Sequence, residues 1–462
     1  MPKHYDIIIS GAGIAGATLA NRLARSQFVR EGYKSILLLD RNNPQKFLSK
    51  SVKNSQNPET NHWDLRTVAL SPGNLKYLQR MPEVWDQIST NFGHKIGFAK
   101  RMHVYDFQSP ESGGITFEDS NTTIIENSVV NKIILDNIKN LEAKKEGFLE
   151  YLPDLEISDV NVDKIVYDQN IQQTPLVEIN NNELTTNLLI GADGQNSQIR
   201  QLFDFDIKFE NDYNTRATCT LLKLPKGVSH NNTAWQRFGP YGPIALLPLG
   251  KPINDGDDAY NYFNLVWSCE KEMSLRLGEL DDEKFLEEIN RALQDAPKYQ
   301  TGMQDFLNKS GLHIPSSTGL SSQEMRPPII GSIASKRGSF PLSAMSSNVT
   351  KPRCFLLGDA GHRVHPLAGQ GLNMGLRDVQ HLENAILTGW QNGADVGVDG
   401  SVAAEYNFNQ MKDNLPIGAG VHVMEQLMKT DVAPIVAARN IGMSLIDNFP
   451  PLKNLLADHA RK

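Results

Sequence analysis

The sequence predicts an α/β protein: a Rossmann-like dinucleotide-binding domain, an inserted, mostly antiparallel β-sheet domain and a helical C-terminus. Three observations predict it. A strand, a glycine loop and a helix open the chain between Tyr5 and Ala24. Two later buried runs, Leu188-Leu-Ile190 and Cys354-Phe-Leu-Leu357, each deliver glycines and an aspartate onto a loop. Between these runs, from Asn214 to about Phe340, apolar and polar residues alternate with the period of strands.

The opening unit is the most specific. Tyr5-Asp-Ile-Ile-Ile-Ser10 reads as a buried parallel strand, and Ala17–Ala24 as a helix. Gly11, Gly13 and Gly16 between them have the Gly-x-Gly-x-x-Gly spacing of a dinucleotide turn. The first glycine makes the turn, the second lets backbone approach a pyrophosphate, and the third lets helix and strand pack. The free N–H groups of the helix start favour an anion there. Ser35–Leu39 is the second strand and ends in Asp40, placed for a ribose hydroxyl. This pattern leaves the dinucleotide and the chemistry open.

After this unit, Asn42–His62 is polar and reads as an exposed excursion. Ser71 caps a helix with Pro72 at its first position. Arg66, just upstream, is a surface charge on its residues alone. Strands are expected within 101–117, a helix over Asn121–Ile138, and strands at 157–162, 164–167 and 176–180. Leu188-Leu-Ile190 then runs into Gly191-Ala-Asp193-Gly194 and a helix carrying Arg200. The inserted domain is read as strands at 217–224, 234–238, 244–248 and 262–269, with a helix at 281–293. An acidic turn is expected at 254–258 and a loop over 314–335.

The chain returns with Gly358-Asp359-Ala-Gly361-His362, then Gly369-Gln370-Gly371-Leu372-Asn373 and a helix from near Gly371; it is mostly helical from Ala403. The expected division is 1–95, 125–210 and 350–400 for the dinucleotide domain, 96–124 and 211–349 for the sheet domain, and 401–462 for the C-terminal region.

Composition excludes some functions. The chain has 462 residues, 40% of them hydrophobic, enough for more than one core. Its net charge is −7 with no basic tract, so no nucleic-acid partner is expected. Cys219, Cys269 and Cys354 are far apart, so neither a disulfide framework nor a zinc site is expected. His362 and His365 flank a loop without a third ligand, and no metal is expected there. No apolar run reaches membrane-spanning length. The first strand begins at residue 5 and leaves no room for a leader, so either the protein acts where it is made or a presequence has been removed.

Three loops thus carry glycines and a carboxylate, and in a doubly wound sheet such loops converge at the strand ends. They resemble the three fingerprints of class A flavin monooxygenases with the para-hydroxybenzoate hydroxylase fold. Gly191–Arg200 is similar to the second fingerprint and Gly358–Asn373 to the third; Gly361 departs from the usual second Ala. Trp235–Leu249, Ser339–Leu342 and the long segment between about 250 and 340 resemble the ubiquinone-biosynthesis hydroxylases, closest to the mitochondrial branch.

The resemblance implies FAD, with Gly11, Gly13 and Gly16 at the pyrophosphate, Asp40 on the adenosine ribose, and Ala15 and Arg41 also in contact with the cofactor. Arg66, Asp193, Gly194, Gly358, Asp359, Pro366, Gly369, Gly371, Leu372 and Asn373 complete the cofactor set. Pro366, Gly369 and Gln370 are the expected catalytic positions. The implied reaction adds one oxygen from O2 to C5 of a polyprenyl-4-hydroxybenzoate ring through a flavin C4a-hydroperoxide. A ferredoxin with its reductase is the implied electron donor, with NADPH as the alternative. The implied setting is a quinone-biosynthesis complex, peripheral on the matrix side of the mitochondrial inner membrane; a bacterial cytoplasm is the alternative. Apolar residues of 435–446 with Lys429, Arg439 and Lys453 are the expected docking segment for a membrane or partner. Rival readings are a prenyl reductase or another phenol hydroxylase on the same fold, or a structural subunit. A halogenase of this fold is disfavoured because no two tryptophans lie two apart.

Overall fold

The computed structural model describes residues 3–42, 64–106, 114–144, 148–155, 157, 160–161, 177–179, 184–239, 241–250, 260–294, 327–363, 370–429, 442–443 and 446–461. The expected excursion beyond Asn42, the strand at 164–167, the turn at 254–258 and most of the loop at 314–335 lie outside these residues. So do Pro366 and Gly369.

The opening strand, Lys3–Ser10, lies inside a parallel sheet. Its order is Cys354–Leu356, Leu184–Gly191, Lys3–Ser10, Ser35–Asp40, Phe148–Pro153, with Thr350–Lys351 antiparallel at one edge. Unbroken apolar runs suit strands covered on both faces, and Ile7, Ile8, Ile9, Leu37, Leu38 and Leu189 are fully buried. Helices Ile14–Ala24, Asn127–Ala143 and Gln370–Gln391 contribute to the same core. Asn21 and Asn137 bond across the first two of them at 2.8 Å.

The inserted region forms a second sheet, ordered His362–Arg363, Gly338–Ser347, Ile207–Lys223, Tyr262–Glu270, Ile244–Leu249, Thr233–Phe238, Arg101–Asp106, Ile115–Phe117. It is antiparallel except where Thr233–Phe238 runs parallel to Arg101–Asp106. Alternation gives its faces opposite characters. Phe263, Leu265 and Trp267 pack on one side with Leu277, Phe285 and Ile289 of helices Lys271–Glu279 and Asp282–Gln294. The other side carries Ala217, Cys219, Ala234, Ala245 and Ser268, which line a cavity.

A three-stranded sheet of Thr67–Leu70, Thr122–Glu126 and Gly97–Ala99 joins the two larger ones. Ala99 and Ile124 share a core with Leu221, Ala234 and Leu249. Gly97 approaches so closely that a Cβ there would lie 1.9 Å from the Pro248 carbonyl oxygen.

Several expectations are corrected. The helix expected over Asn121–Ile138, with Glu126-Asn127 capping its start, does begin at Asn127 with Glu126 as N-cap, but Thr122–Glu126 before it is a strand; its β-branched Thr, Thr, Ile and Ile suit a buried sheet. The strand expected from 217 begins at Ile207, and its exposed first half pairs with Gly338–Ser347 as a ribbon. Helix Lys271–Glu279 was not expected.

The C-terminal region is helical over Gly400–Lys429 and Pro450–Arg461. Ile435, Val436, Ile441 and Leu445 of the expected docking segment lie outside the described residues. Met443 and Ile446 do not face outward as that expectation had them: they pack on Val104, Ile115 and Phe238 of the inserted sheet. The buried Asp447 accepts a hydrogen bond from the Thr116 N–H at 3.2 Å.

Candidate flavin and substrate site

The fold sets the three glycine loops side by side. Parallel register pairs Ser10 with both Gly191 and Leu39, and Gly191 with Leu356. Backbone bonds continue the alignment past the strand ends: Gly11 N–H to Leu39 O at 2.8 Å, Ala192 N–H to Ser10 O at 2.7 Å, and Leu357 N–H to Gly191 O at 2.9 Å.

Gly11 has φ of +113°, and a Cβ there would lie 2.3 Å from the Ala192 oxygen. At Gly16 it would lie 2.0 Å from the Gly11 oxygen, whereas at Gly13 nothing stands within 4 Å. Two glycines therefore serve packing, and Gly13 faces free space at the start of helix Ile14–Ala24. At Gly358 in the third loop, which has φ of +59°, a Cβ would lie 3.7 Å from the Ala15 side chain. Asp40 accepts from Ala12 N–H at 2.7 Å and from Asn42 N–H at 2.8 Å, fixing the glycine turn. With Arg41, Asp193 and Gly194 it lines a cleft of about 240 Å³. A carboxylate has further lone pairs, so Asp40 keeps acceptor capacity toward a ribose.

Asp193 is occupied locally. It accepts from Ser197 Oγ at 2.6 Å and from Gln198 N–H at 2.8 Å, at the start of the short helix Gln198–Leu202. The open space at Gly194 is what the second loop offers a ligand. Arg200, which the sequence left without a role, joins the loops: its guanidinium donates to Ala360 O at 2.7 Å and to Gln195 O at 3.0 Å.

In the third loop Asp359 is exposed yet closely surrounded by protein. That crowding raises its carboxyl above the usual range, with His362 and Arg363 opposing. Behind it the buried Asp378 accepts from Gly358 N–H at 3.2 Å and Asn414 Nδ2 at 2.8 Å, and contacts His362 Nε2. Burial pulls the His362 pKa down, but the Asp378 charge and hydrogen bond outweigh it and raise it.

Gln370, Gly371, Leu372 and Asn373 begin the helix and line a cavity of about 360 Å³. No atom stands within 4 Å of a Cβ built on Gly371. Asn373 is held from behind: it accepts from Ser71 N–H and Asn74 Nδ2, each at 3.0 Å, and donates to Ala69 O at 2.8 Å. Its side chain thus fixes the helix start against the three-stranded sheet. Arg66 lines the same cavity, its guanidinium 5.9 Å from the Phe340 ring centroid. The opposite wall is the inserted sheet, where Ala217, Cys219, Ala234, Ala245 and Ser268 stand beside the larger Trp235, Leu247, Val266 and Phe340, and Leu456, Ala457 and Arg461 of the last helix close one side.

The sequence model of the FAD binding domain family matches residues 337–396. Over 99% of its length the chain is 31% identical to the mitochondrial ubiquinone biosynthesis monooxygenase COQ6 of Caenorhabditis elegans, covering 96% of that protein. The chain belongs to the COQ6 family of ubiquinone biosynthesis monooxygenases. The COQ6 of Dictyostelium discoideum is 32% identical over 98% of the chain and 90% of its own length, and that of Homo sapiens 31% over 99% and 92%.

Two solved structures share the fold. p-Nitrophenol 4-monooxygenase PnpA from Pseudomonas putida DLL-E4 has a TM-score of 0.65 at 14% identity, covering 100% of this chain and 99% of that one. P. aeruginosa PqsL in complex with 2-aminobenzoylacetate has 0.62 at 17%, covering 96% and 99%. This COQ6-family chain is therefore an FAD-dependent monooxygenase of ubiquinone biosynthesis. The open faces of Gly13, Gly194 and Gly371 beside backbone-crowded Gly11 and Gly16 fit FAD. Among the described residues no helix is long and apolar enough to cross a membrane, and no group of His, Cys, Asp and Glu has the arrangement of a metal site.

Proposed function

We propose that the cavity between helix Gln370–Gln391 and the inserted sheet holds a polyprenylated 4-hydroxybenzoate ring for hydroxylation at C5. The observation that carries this reading is the cavity itself. On its sheet wall Ala217, Cys219, Ala234, Ala245 and Ser268 leave room for an aromatic ring between the larger Trp235, Leu247, Val266, Phe340 and Leu342. Gly11, Gly13, Ala15, Gly16, Asp40 and Arg41 would hold the adenosine diphosphate half of FAD. Arg66, Gly194, Asp359 and Gly371–Asn373 would meet the flavin half. Bound there, FAD supplies activation of O2 and transfer of one oxygen atom.

The chain's own residues place the ring and exclude water. Among the described lining residues there is no Asp, Glu, His, Lys or Tyr, and burial pushes the Cys219 thiol up to about 12. No described lining side chain is placed to act as a base.

The relatives' names place them in mitochondria, and we assign this chain the same location, peripheral on the inner membrane's matrix side. We further assign it a ferredoxin with its reductase as electron donor, and the domain division set out from the sequence. The test is reconstitution of the purified yellow protein with a prenylated 4-hydroxybenzoate, O2 and either NADPH or a ferredoxin system. A product heavier by one oxygen, formed only with ferredoxin, supports both parts. A product with NADPH alone removes the donor assignment, and no product with either donor defeats the hydroxylase reading.

A further inference from the structure

We propose that Arg461, in the last turn of the C-terminal helix, binds the carboxylate of the 4-hydroxybenzoate ring and so selects the benzoate over the matching phenol. The inference rests on the proposed function and deepens it.

The cavity's charge inventory motivates it. Its described lining residues include two charged side chains, Arg66 and Arg461, both cations. They come from walls far apart in sequence. Arg66 directly precedes strand Thr67–Leu70, and its guanidinium lies 5.9 Å from the Phe340 ring centroid. Arg461 comes from the opposite end of the chain. Cations beside an otherwise apolar, acid-free cavity favour a ligand that carries negative charge, because an anion leaving water is stabilised only where a counter-charge awaits it. With Arg66 assigned to the cofactor, the second cation is left for the substrate.

Arg461 is held in place for this task. A surface helix frays unless tied down, and this one is tied twice. Met443 and Ile446 pack on the inserted sheet, and Asp447 takes the Thr116 N–H at 3.2 Å and Lys453 Nζ at 2.7 Å. One turn of the guanidinium is then fixed by donation to Glu118 O at 3.1 Å and Asp458 Oδ1 at 3.2 Å. Arg461 is 37% exposed and Asp458 68%, so solvent screens that pair and it cancels little of the charge. A guanidinium has five donors in a planar fork, and the remaining ones suit a carboxylate. Leu456 and Ala457, one turn earlier, line the cavity from the same helix, so the apolar ring and its anionic substituent meet one continuous surface.

The test measures binding by the holoenzyme, through perturbation of the oxidised flavin spectrum. The probes are a 3-prenyl-4-hydroxybenzoate and the matching 2-prenylphenol, which lacks the carboxylate. Wild type is expected to bind the benzoate more tightly. Arg461→Gln weakens the benzoate by about tenfold to a hundredfold, as for loss of a charge-assisted hydrogen bond, and shifts the phenol by less than about twofold. Arg461→Lys recovers part of the loss because it keeps the charge without the fork. Equal weakening of both probes by Arg461→Gln means a merely structural helix and overturns the assignment. So does an unchanged benzoate affinity, or a wild type that binds the two probes equally. Wild-type holoenzyme that binds neither probe defeats the proposed function itself.

Discussion

Replacing Gly13 and Gly16 separately by alanine distinguishes a glycine that serves the cofactor from one that serves the fold. At Gly16 the added methyl would sit 2.0 Å from the Gly11 carbonyl oxygen and 3.0 Å from Ala192 Cβ. Both neighbours belong to the core of the parallel sheet, so helix and strand must separate by roughly 1 Å, overpacking that costs about 3 kcal/mol. At about 2–4 °C per kcal/mol for a large domain, the melting temperature falls by roughly 6–12 °C with or without FAD. Gly13 has φ of −67° and ψ of 176°, which alanine adopts freely, and its methyl meets no atom within 4 Å. Gly13→Ala therefore leaves the apoprotein's melting temperature within about 1 °C, since no named cause of destabilisation applies. Its methyl does occupy the space assigned to the pyrophosphate and weakens FAD by about 1–3 kcal/mol, roughly 5- to 150-fold. The assay is thermal melting of apoprotein and holoprotein together with FAD titration followed by fluorescence. Equal destabilisation of the apoprotein by both substitutions, or unchanged FAD affinity in Gly13→Ala, refutes the reasoning.

Three further outcomes are expected. Ala217→Phe fills the cavity from the sheet side and should abolish binding of the prenylated ring while FAD is retained at wild-type affinity; substrate titration of the holoenzyme checks it. Burial, partly opposed by Asp447, lowers the His103 pKa to about 4. The neutral imidazole thus contributes stability that is full above its ordinary value of 6.5 and is lost as pH falls toward 4. Melting of His103→Gln against wild type from neutral pH down through that window should show a difference that shrinks on acidification, and a pH-independent difference would contradict it. The three cysteines are buried, and burial raises the Cys219 and Cys269 thiols to about 12 and 11. A thiol reagent at mildly alkaline pH should leave the native protein unlabelled and label it fully in denaturant.

The parts of this molecule visible in its sequence are those set by local chemistry. Strand, glycine spacing, helix and terminal acid at 5–40 need only near neighbours, and the chain folds there as the pattern says. The N-cap at Ser71, which accepts from Asn74 N–H at 3.3 Å, is likewise local. Thr122–Glu126 escaped because its strand partners are Thr67–Leu70 and Gly97–Ala99, and periodicity over a short run cannot report them. The cavity escaped for a stronger reason. Ala217, Ala234, Ala245 and Ser268 are ordinary strand residues until the sheet order decides that they share one face. The roles of Asn414 and Arg461 depend on helices folding back over the third loop and the inserted sheet. Arg200 had a signal that went unused: a cation on the helix after one glycine loop, free to bond the carbonyls of the next.

The central claim is that this chain uses FAD to place one atom of O2 on the ring of a prenylated 4-hydroxybenzoate. Turnover of that substrate by the reduced holoenzyme under oxygen-18 gas, with mass spectrometry and proton NMR of the product, tests it most directly. One oxygen-18 atom is expected at C5, and none when the label is supplied as water. A label drawn from water, insertion at another ring carbon, or an unchanged ring with all reducing equivalents released as hydrogen peroxide would contradict it.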